Sequence, residues 1–189
     1  MKRAVIIHGW GGSPNANWIP WLKKELEARN IFVEAPQMPN TDNPTIDQWV
    51  PYLEKFVDEE DDNYLIGHSI GCQTILRYLA NMPEPAKIKG VVFVAGWLTL
   101  SGISSPEEKQ IAEEWAGTPI DLGKAKANAD KFVSIFSDND PYVSEDNWGK
   151  FEELGTVIIE HGKGHILDAE EPIILNSVLK LMKPLDNRA

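Results

Sequence analysis

The sequence contains little cysteine, few basic residues relative to acidic ones, and no long apolar run. Its one cysteine, Cys72, cannot form an internal disulfide and fits a reducing cytoplasm, where we expect the protein to act. The 18 Lys and Arg against 29 Asp and Glu give a formal net charge of −11, which argues against a nucleic-acid surface. No apolar stretch approaches the roughly 20 residues that cross a bilayer, so we expect no membrane association.

Sequence patterns typical of metal and nucleotide sites are missing as well. The four histidines are isolated, with no H-E-x-x-H motif and no cysteine cluster, so we expect no metal site. The glycine-rich stretch His8–Gly12 follows neither the G-x-G-x-x-G pattern nor the phosphate-binding P-loop. A nucleotide cofactor is therefore not expected.

Length and apolar periodicity predict a single α/β domain over residues 1–189. Short runs rich in β-branched residues alternate with helical patterns, and several are apolar on successive residues, which is typical of strands covered on both faces. This alternation predicts right-handed crossovers and a mostly parallel sheet. The predicted strands are Ala4–Ile7, Ile31–Ala35, Tyr64–Ile66, Val91–Ala95, Phe132–Phe136 and Thr156–Glu160. Helical spacing recurs from Trp18 to Leu26, over Thr45–Val57, from Cys72 onward and from Ile174 to Met182.

The connection between the fourth and fifth predicted strands is longer than a simple crossover. Residues 97–130 include two helical patterns, Pro106–Trp115 and Leu122–Asp130. Because ligands bind outside the carboxyl ends of parallel strands, an insertion at that edge can roof the site as a small helical lid. A crossover helix with an elaborated surface loop explains the same length equally well.

The most specific motif is a G-x-S-x-G pentapeptide, Gly67–Gly71, centred on Ser69. It follows the strand-like run Tyr64–Ile66 and opens a helix-like stretch, the context in which this motif forms a nucleophile elbow. Its glycines remove the Cβ atoms that would collide in the strained turn. The pattern favours a catalytic Ser69 over an ordinary turn with a helix-capping serine.

A serine nucleophile needs a base and a group that orients the base, and two further loops offer both. Asp138 and Asp140 follow the fifth predicted strand, whereas His161 and His165 follow the sixth. Asp140 lies deeper in its loop beside a proline, which favours it over Asp138, a residue that also fits a simple turn. His165 is favoured over His161 because flanking glycines let a tight loop present it across the sheet.

A hydrolytic serine also requires N–H donors for the developing oxyanion. Ile70 supplies one by its place after the serine at a helix N-terminus, where the helix dipole also favours an anion. The second donor is expected from the loop after the first strand, with Trp10 preferred and Gly11 as the alternative. We interpret His8 and His68 as structural hydrogen-bonding residues.

Three of the seven tryptophans are predicted to line a substrate pocket. Trp97 leaves the carboxyl end of a predicted strand, and Trp115 lies in the segment that forms the lid in the first interpretation. Together with Trp10, they would provide an apolar acyl or aromatic pocket.

Several stretches resemble a known group of enzymes. These are Val5–Gly9, Trp18–Leu26 with its Trp-Ile-Pro-Trp sequence, Met38–Asn40, the Ser69 pentapeptide, Asp140 and Gly164-His165. By these residues the chain resembles, almost end to end, the small YdeN-type serine hydrolases of the α/β-hydrolase superfamily, related to the retinoblastoma-binding serine hydrolase. The resemblance implies a six-stranded minimal α/β-hydrolase fold, a triad of Ser69, Asp140 and His165, and no cofactor. Ser144 departs from the pattern because a proline often stands there.

We therefore predict a serine hydrolase acting on a small-molecule acyl substrate, a carboxylic ester or thioester, through an acyl-enzyme. Acyl transfer to another acceptor, or perhydrolysis, would use the same three groups. The alternative from a different class is an interaction protein that keeps the fold with vestigial catalysis. The sequence identifies no protein partner.

Overall fold

A computed structural model of the chain describes residues 1–83 and 88–183, so residues 84–87 and 184–189 of the expected domain lie outside the described part. The described strands are β1 (Lys2–Ile7), β2 (Phe32–Glu34), β3 (Asp62–His68), β4 (Gly90–Val94), β5 (Phe132–Ser137) and β6 (Thr156–Glu160). They form one sheet in the order β2-β1-β3-β4-β5-β6, and every neighbouring pair is parallel. The predicted α/β sheet, including all six strands, is confirmed.

Helices connect the strands. They are α1 (Ile19–Glu27), α2 (Ile46–Glu54), α3 (Ile70–Asn81), α4 (Pro106–Gly117), α5 (Leu122–Ala127), α6 (Trp148–Glu152) and α7 (Pro172–Leu181). Helix α3 begins two residues earlier than the apolar pattern indicated, directly after Ser69. Helix α6 was not predicted, because five residues are too few to show a helical period. Among the described residues, no helix is both long and apolar enough to cross a membrane.

The sheet separates two apolar cores, and alternate residues of its strands enter each. In β1, Ala4 and Ile6 pack in the core that contains α1 and α7, whereas Val5 and Ile7 pack in the core that contains α2 and α3. Successive side chains of a strand point to opposite faces, so a strand covered on both faces is apolar throughout. This explains the unbroken apolar runs in the sequence.

The segment 97–130 combines features of both interpretations given above. Trp115 of α4 is buried against Trp49, with ring centroids 6.2 Å apart, and its Nε1–H donates to the Pro44 carbonyl at 2.9 Å. Arg77 of α3 donates hydrogen bonds to carbonyls at the end of α4, including that of Thr118 at 2.8 Å. Helix α4 therefore packs on the body of the domain. Residues 100–108 of the same segment reach the cavity described below.

Candidate active site

Ser69 occupies the sharp turn between β3 and α3. Its backbone has φ 53° and ψ −118°, a strained combination for a residue with a side chain, and its N–H donates to the Val94 carbonyl at 2.9 Å. A Cβ on Gly67 would lie 2.8 Å from the Cys72 nitrogen, and one on Gly71 would meet the Ile7 carbonyl oxygen. The two glycines are thus required by close backbone approach, which is the local geometry of a nucleophile elbow.

Asp140 and His165 form a buried carboxylate–imidazole pair. His165 Nδ1 lies 2.8 Å from Asp140 Oδ2, and the Asp140 side chain is only 1% exposed. The other carboxylate oxygen, Oδ1, accepts hydrogen bonds from the N–H groups of Tyr142 at 2.9 Å and Val143 at 3.1 Å. Three donors fix the carboxylate, so it holds the imidazole with Nδ1–H towards itself and leaves Nε2 as the basic nitrogen.

Asp138 and His161 form a second pair of the same kind on the protein surface. His161 Nδ1 lies 2.6 Å from Asp138 Oδ2, and the His161 side chain is 86% exposed. The hydrogen bond to Asp138 raises the pKa of His161, and the Gly162 N–H is the main group that lowers the pKa of Asp138. Neither residue lines the cavity that contains Ser69, whereas His165 does. The geometry therefore separates the two pairs by burial.

The loop that carries Asp138 and Asp140 is hydrogen-bonded to the loop that carries His161 and His165. Ser137 Oγ accepts from the Lys163 N–H at 2.9 Å, and Asn139 Oδ1 accepts from the Gly164 N–H at 2.7 Å. Gly162 and Gly164 have φ of +70° and +54°, the left-handed conformation that glycine adopts without strain. The hydrogen bonds set the register of the loops and place His165 opposite Asp140.

Two aromatic side chains, His68 and Trp18, form hydrogen bonds to backbone carbonyls of the loop that carries His165. His68 Nε2 lies 3.0 Å from the His165 carbonyl oxygen, and Trp18 Nε1–H donates to the Ile166 carbonyl at 3.1 Å. Burial lowers the pKa of His68 to about 3, so its ring is neutral and donates through Nε2–H. These contacts agree with the structural interpretation of His68. Trp18 appeared in the sequence only as an apolar helix residue.

His8 fixes the loop that follows β1. Its Nδ1 lies 2.7 Å from the Gly9 carbonyl oxygen, and its Nε2 accepts from the Met38 N–H at 3.0 Å. Burial lowers the pKa of His8, which agrees with a neutral, structural ring. In the same loop, the Gly11 N–H already donates to the Thr41 carbonyl at 2.9 Å. Trp10 and Gly11 were the two candidates for the second oxyanion donor, and the Gly11 N–H thus already has a hydrogen-bond acceptor.

Ser69 and His165 line one cavity of about 580 Å³ at the carboxyl ends of the strands. Within the described part of the chain, the Ser69 hydroxyl forms no hydrogen bond, and none joins it to His165. Catalytic hydrogen bonds are often long in unliganded enzymes and tighten when substrate binds. The structure thus brings the serine and the imidazole to one cavity without the contact that proton transfer requires.

Of the three predicted pocket tryptophans, Trp10 lines this cavity, whereas Trp97 and Trp115 do not. Trp97 and Trp115 are fully buried in the core on the α2 and α3 side of the sheet. The position of Trp97 after a strand predicted the correct edge of the sheet but not the direction of its ring. The aromatic rings that do line the cavity are Trp10, Trp18, His8, His68, Tyr142 and His165. Tyr142 was missed, although its place two residues after Asp140 was a usable signal.

Comparison with known proteins agrees with the geometry. A model of the serine hydrolase family matches residues 4–181. The chain is 29% identical over 173 residues to the putative hydrolase YdeN of Bacillus subtilis, covering 89% of this chain and 88% of that protein. It is 24% identical over 190 residues to the serine hydrolase RBBP9 of Rattus norvegicus, covering 96% of each.

Solved structures show the same fold. The crystal structure of the ydeN gene product from B. subtilis superimposes with a TM-score of 0.85 at 26% identity, covering 96% of this chain and 98% of that one. The structure of Est1E from Butyrivibrio proteoclasticus with ferulic acid bound has a TM-score of 0.72 at 15% identity, covering 96% of this chain and 88% of that one. The second likeness concerns the fold alone. Sequence motifs, fold and family match agree: this chain belongs to the serine hydrolase family and has the α/β-hydrolase fold.

Proposed function

We propose that this serine hydrolase cleaves small carboxylic esters or thioesters through Ser69, His165 and Asp140. The observation that carries the proposal is the buried Asp140–His165 pair, 2.8 Å apart, whose imidazole lines the same cavity as the strained Ser69. A reactive serine needs a base whose tautomer is fixed by a third group, and these residues have the chemistry for those roles.

The proposed reaction has two halves. The Ser69 Oγ attacks the carbonyl carbon while His165 Nε2 accepts the hydroxyl proton, and Asp140 stabilises the resulting imidazolium. The tetrahedral intermediate collapses as His165 returns that proton to the leaving oxygen or sulfur, and an alcohol or thiol departs. Water then attacks the acyl-enzyme with His165 again as the base, which releases the acid and restores the serine.

The oxyanion would be bound by backbone N–H groups of Trp10 and Ile70. Ile70 is the first residue of α3, where a helix has N–H groups without intrahelical acceptors and the positive end of its dipole. Trp10 lies on the cavity wall, and the neighbouring Gly11 N–H is bound to Thr41. Each such donor contributes about 3 kcal/mol to the transition state in well-studied hydrolases.

The size and lining of the cavity support short or aromatic acyl groups. Its volume of about 580 Å³ suits a small ligand, and Leu100 and Ile103 contribute apolar side chains to its lining. Est1E, which shares this fold, has been seen with ferulic acid, an aromatic acid, bound to it. We expect acetate, propionate and aryl-acid esters to be cleaved faster than esters of long fatty acids.

Labelling with a fluorophosphonate probe, combined with a panel of p-nitrophenyl esters of increasing acyl length, tests the proposal. Wild type should be labelled and active, whereas Ser69→Ala should be neither. Ser134→Ala is the matched control, because the buried Ser134 hydroxyl has no hydrogen-bond partner to lose among the described residues. Wild type that resists the probe as fully as Ser69→Ala would contradict the proposal and favour an interaction protein. A clear optimum for long acyl chains would contradict the acyl prediction.

A further inference from the structure

Two exposed apolar side chains line the cavity that contains Ser69. Among the described residues, four large apolar side chains are exposed, and two of them line this cavity: Tyr142, 43% exposed, and Leu167, 49% exposed. Apolar side chains that are exposed to water in the same cavity as a candidate nucleophile indicate a binding function. Single exposed apolar residues elsewhere on a surface are common and do not.

One of the two, Tyr142, contacts the imidazole of His165. The rings of Tyr142 and His165 meet edge to face, with centroids 5.3 Å apart, and Leu167 follows His165 by two residues. The Tyr142 backbone is held on both sides: its N–H donates to Asp140 Oδ1 at 2.9 Å, and its carbonyl accepts from the Ser101 N–H at 2.9 Å. Its ring is therefore presented to the cavity by a fixed backbone.

The chemistry of the reaction determines which part of a substrate contacts the side chains beside His165. His165 must protonate the leaving oxygen, so that oxygen has to come within about 3 Å of Nε2. The carbon chain attached to the leaving oxygen then starts next to the imidazole, whereas the acyl group stays bonded to Ser69. Tyr142, which packs on the His165 ring and lines the cavity, accordingly contacts the alcohol portion, and Leu167 is a further exposed apolar side chain of the same cavity.

The charges of the lining restrict that alcohol further. The described lining includes the carboxylates of Asp42 and Glu108 and contains no lysine or arginine. An anionic leaving group would enter a cavity whose described lining has two carboxylates and no compensating cation, and the chain as a whole carries a net charge of −11. An uncharged leaving group avoids this repulsion.

We propose that Tyr142 and Leu167 form a subsite for the leaving group, and that this hydrolase selects esters of uncharged, apolar alcohols with a ring or branched chain. The proposal rests on the proposed function and deepens it. The subsite acts only until the alcohol departs, so it should influence acylation and leave acyl-enzyme breakdown unchanged.

The test uses three propionate esters whose alcohols have similar acidity: methyl, n-butyl and cyclohexylmethyl. In wild type, kcat/KM should rise by about tenfold or more from methyl to cyclohexylmethyl as apolar surface is buried. In Tyr142→Ser and Leu167→Ser the rise should shrink to about threefold or less. Tyr142→Phe should keep the wild-type rise, and within each variant the rate of acyl-enzyme breakdown should be the same for the three esters, which share one propionyl-enzyme.

Phe32→Ser is the matched control, because Phe32 is 42% exposed but lies on the edge strand β2 and does not line the cavity. It should reproduce the wild-type rise. Equal kcat/KM for the three esters in wild type, or an undiminished rise in Tyr142→Ser, would overturn the proposal. Faster cleavage of propionyl-coenzyme A than of the uncharged N-acetylcysteamine thioester would overturn it as well.

A binding measurement separates this proposal from the proposed function. Ser69→Ala is titrated with the methyl and cyclohexylmethyl esters and followed by NMR. Tighter binding of the cyclohexylmethyl ester, lost in Ser69→Ala/Tyr142→Ser, supports the subsite even if wild type hydrolyses nothing. Equal binding of the two esters overturns the subsite even if wild type is an active esterase.

Discussion

Replacing Asp140 by asparagine should inactivate the enzyme by changing the tautomer of His165. Asp140 Oδ1 accepts two backbone N–H groups, from Tyr142 and Val143, and Oδ2 faces His165 Nδ1. An asparagine can satisfy the two N–H groups only with its carbonyl oxygen, which turns its NH₂ towards Nδ1. Nδ1 must then accept, the ring proton moves to Nε2, and Nε2 loses the lone pair that should take the Ser69 proton.

The magnitude follows from the cost of restoring the active tautomer. With Nδ1 protonated, two buried donors, Nδ1–H and the asparagine NH₂, would face each other without an acceptor. Each buried unpaired group costs about 1–3 kcal/mol, so the penalty is about 4 kcal/mol. That corresponds to a loss in kcat of about 10³-fold. The backbone hydrogen bonds survive, so the free energy of unfolding should change by less than about 1 kcal/mol.

The assay is kcat on the best ester of the panel, with ¹⁵N NMR of the imidazole to identify the tautomer. Asp138→Asn is a matched control, since it makes the same change in the surface pair with His161. Its kcat should stay within about threefold of wild type, because that pair lies outside the cavity. Asp140→Asn that keeps more than about a tenth of wild-type kcat, or Asp138→Asn that loses as much, would refute the reasoning.

Three further predictions concern stability. Gly71→Ala should lower the free energy of unfolding by about 3 kcal/mol, because its Cβ would meet the Ile7 carbonyl, whereas Gly149→Ala, with open space around it, should be neutral or stabilising in urea titrations. Ser69→Gly should have a free energy of unfolding about 1 kcal/mol higher than that of Ser69→Ala, since glycine adopts the positive φ without strain. Equal urea midpoints for the two variants would contradict backbone strain at Ser69. The unfolded His68 binds a proton near pH 6.5 while the folded ring stays neutral down to about pH 3, so stability should fall as pH drops through this window, by about 3 kcal/mol near pH 4.5. His68→Gln keeps a donor without titrating and should flatten this dependence; an unchanged slope would count against it.

Much of the fold could be predicted because its physics is local. A strand covered on both faces must be apolar on successive residues, and β1 shows this directly, with Ala4 and Val5 entering different cores. The nucleophile turn was equally readable, since close backbone approach at Gly67 and Gly71 requires glycine. Helix α6 was not readable, because five residues carry no periodic signal.

The candidate site was less predictable where burial decides between equivalent residues. Asp138 and Asp140 stand in the same loop and each finds a histidine, and only the three-dimensional structure shows that one pair is buried and the other exposed. The pocket prediction for Trp115 was wrong for a related reason. Trp115 is buried in the core, where it contacts the Pro44 carbonyl and the Trp49 ring. A local sequence pattern does not predict partners so far away along the chain.

The central claim is that Ser69 becomes covalently acylated during turnover. Its most direct test is mass spectrometry of wild-type protein mixed with p-nitrophenyl propionate and quenched in acid within the first turnovers, followed by peptide mapping. We expect the mass of one propionyl group on the peptide that contains Ser69, and none on the same peptide of Ser69→Ala. Ester hydrolysis by wild type with no acyl group on that peptide, or with the group on another residue, would contradict the account.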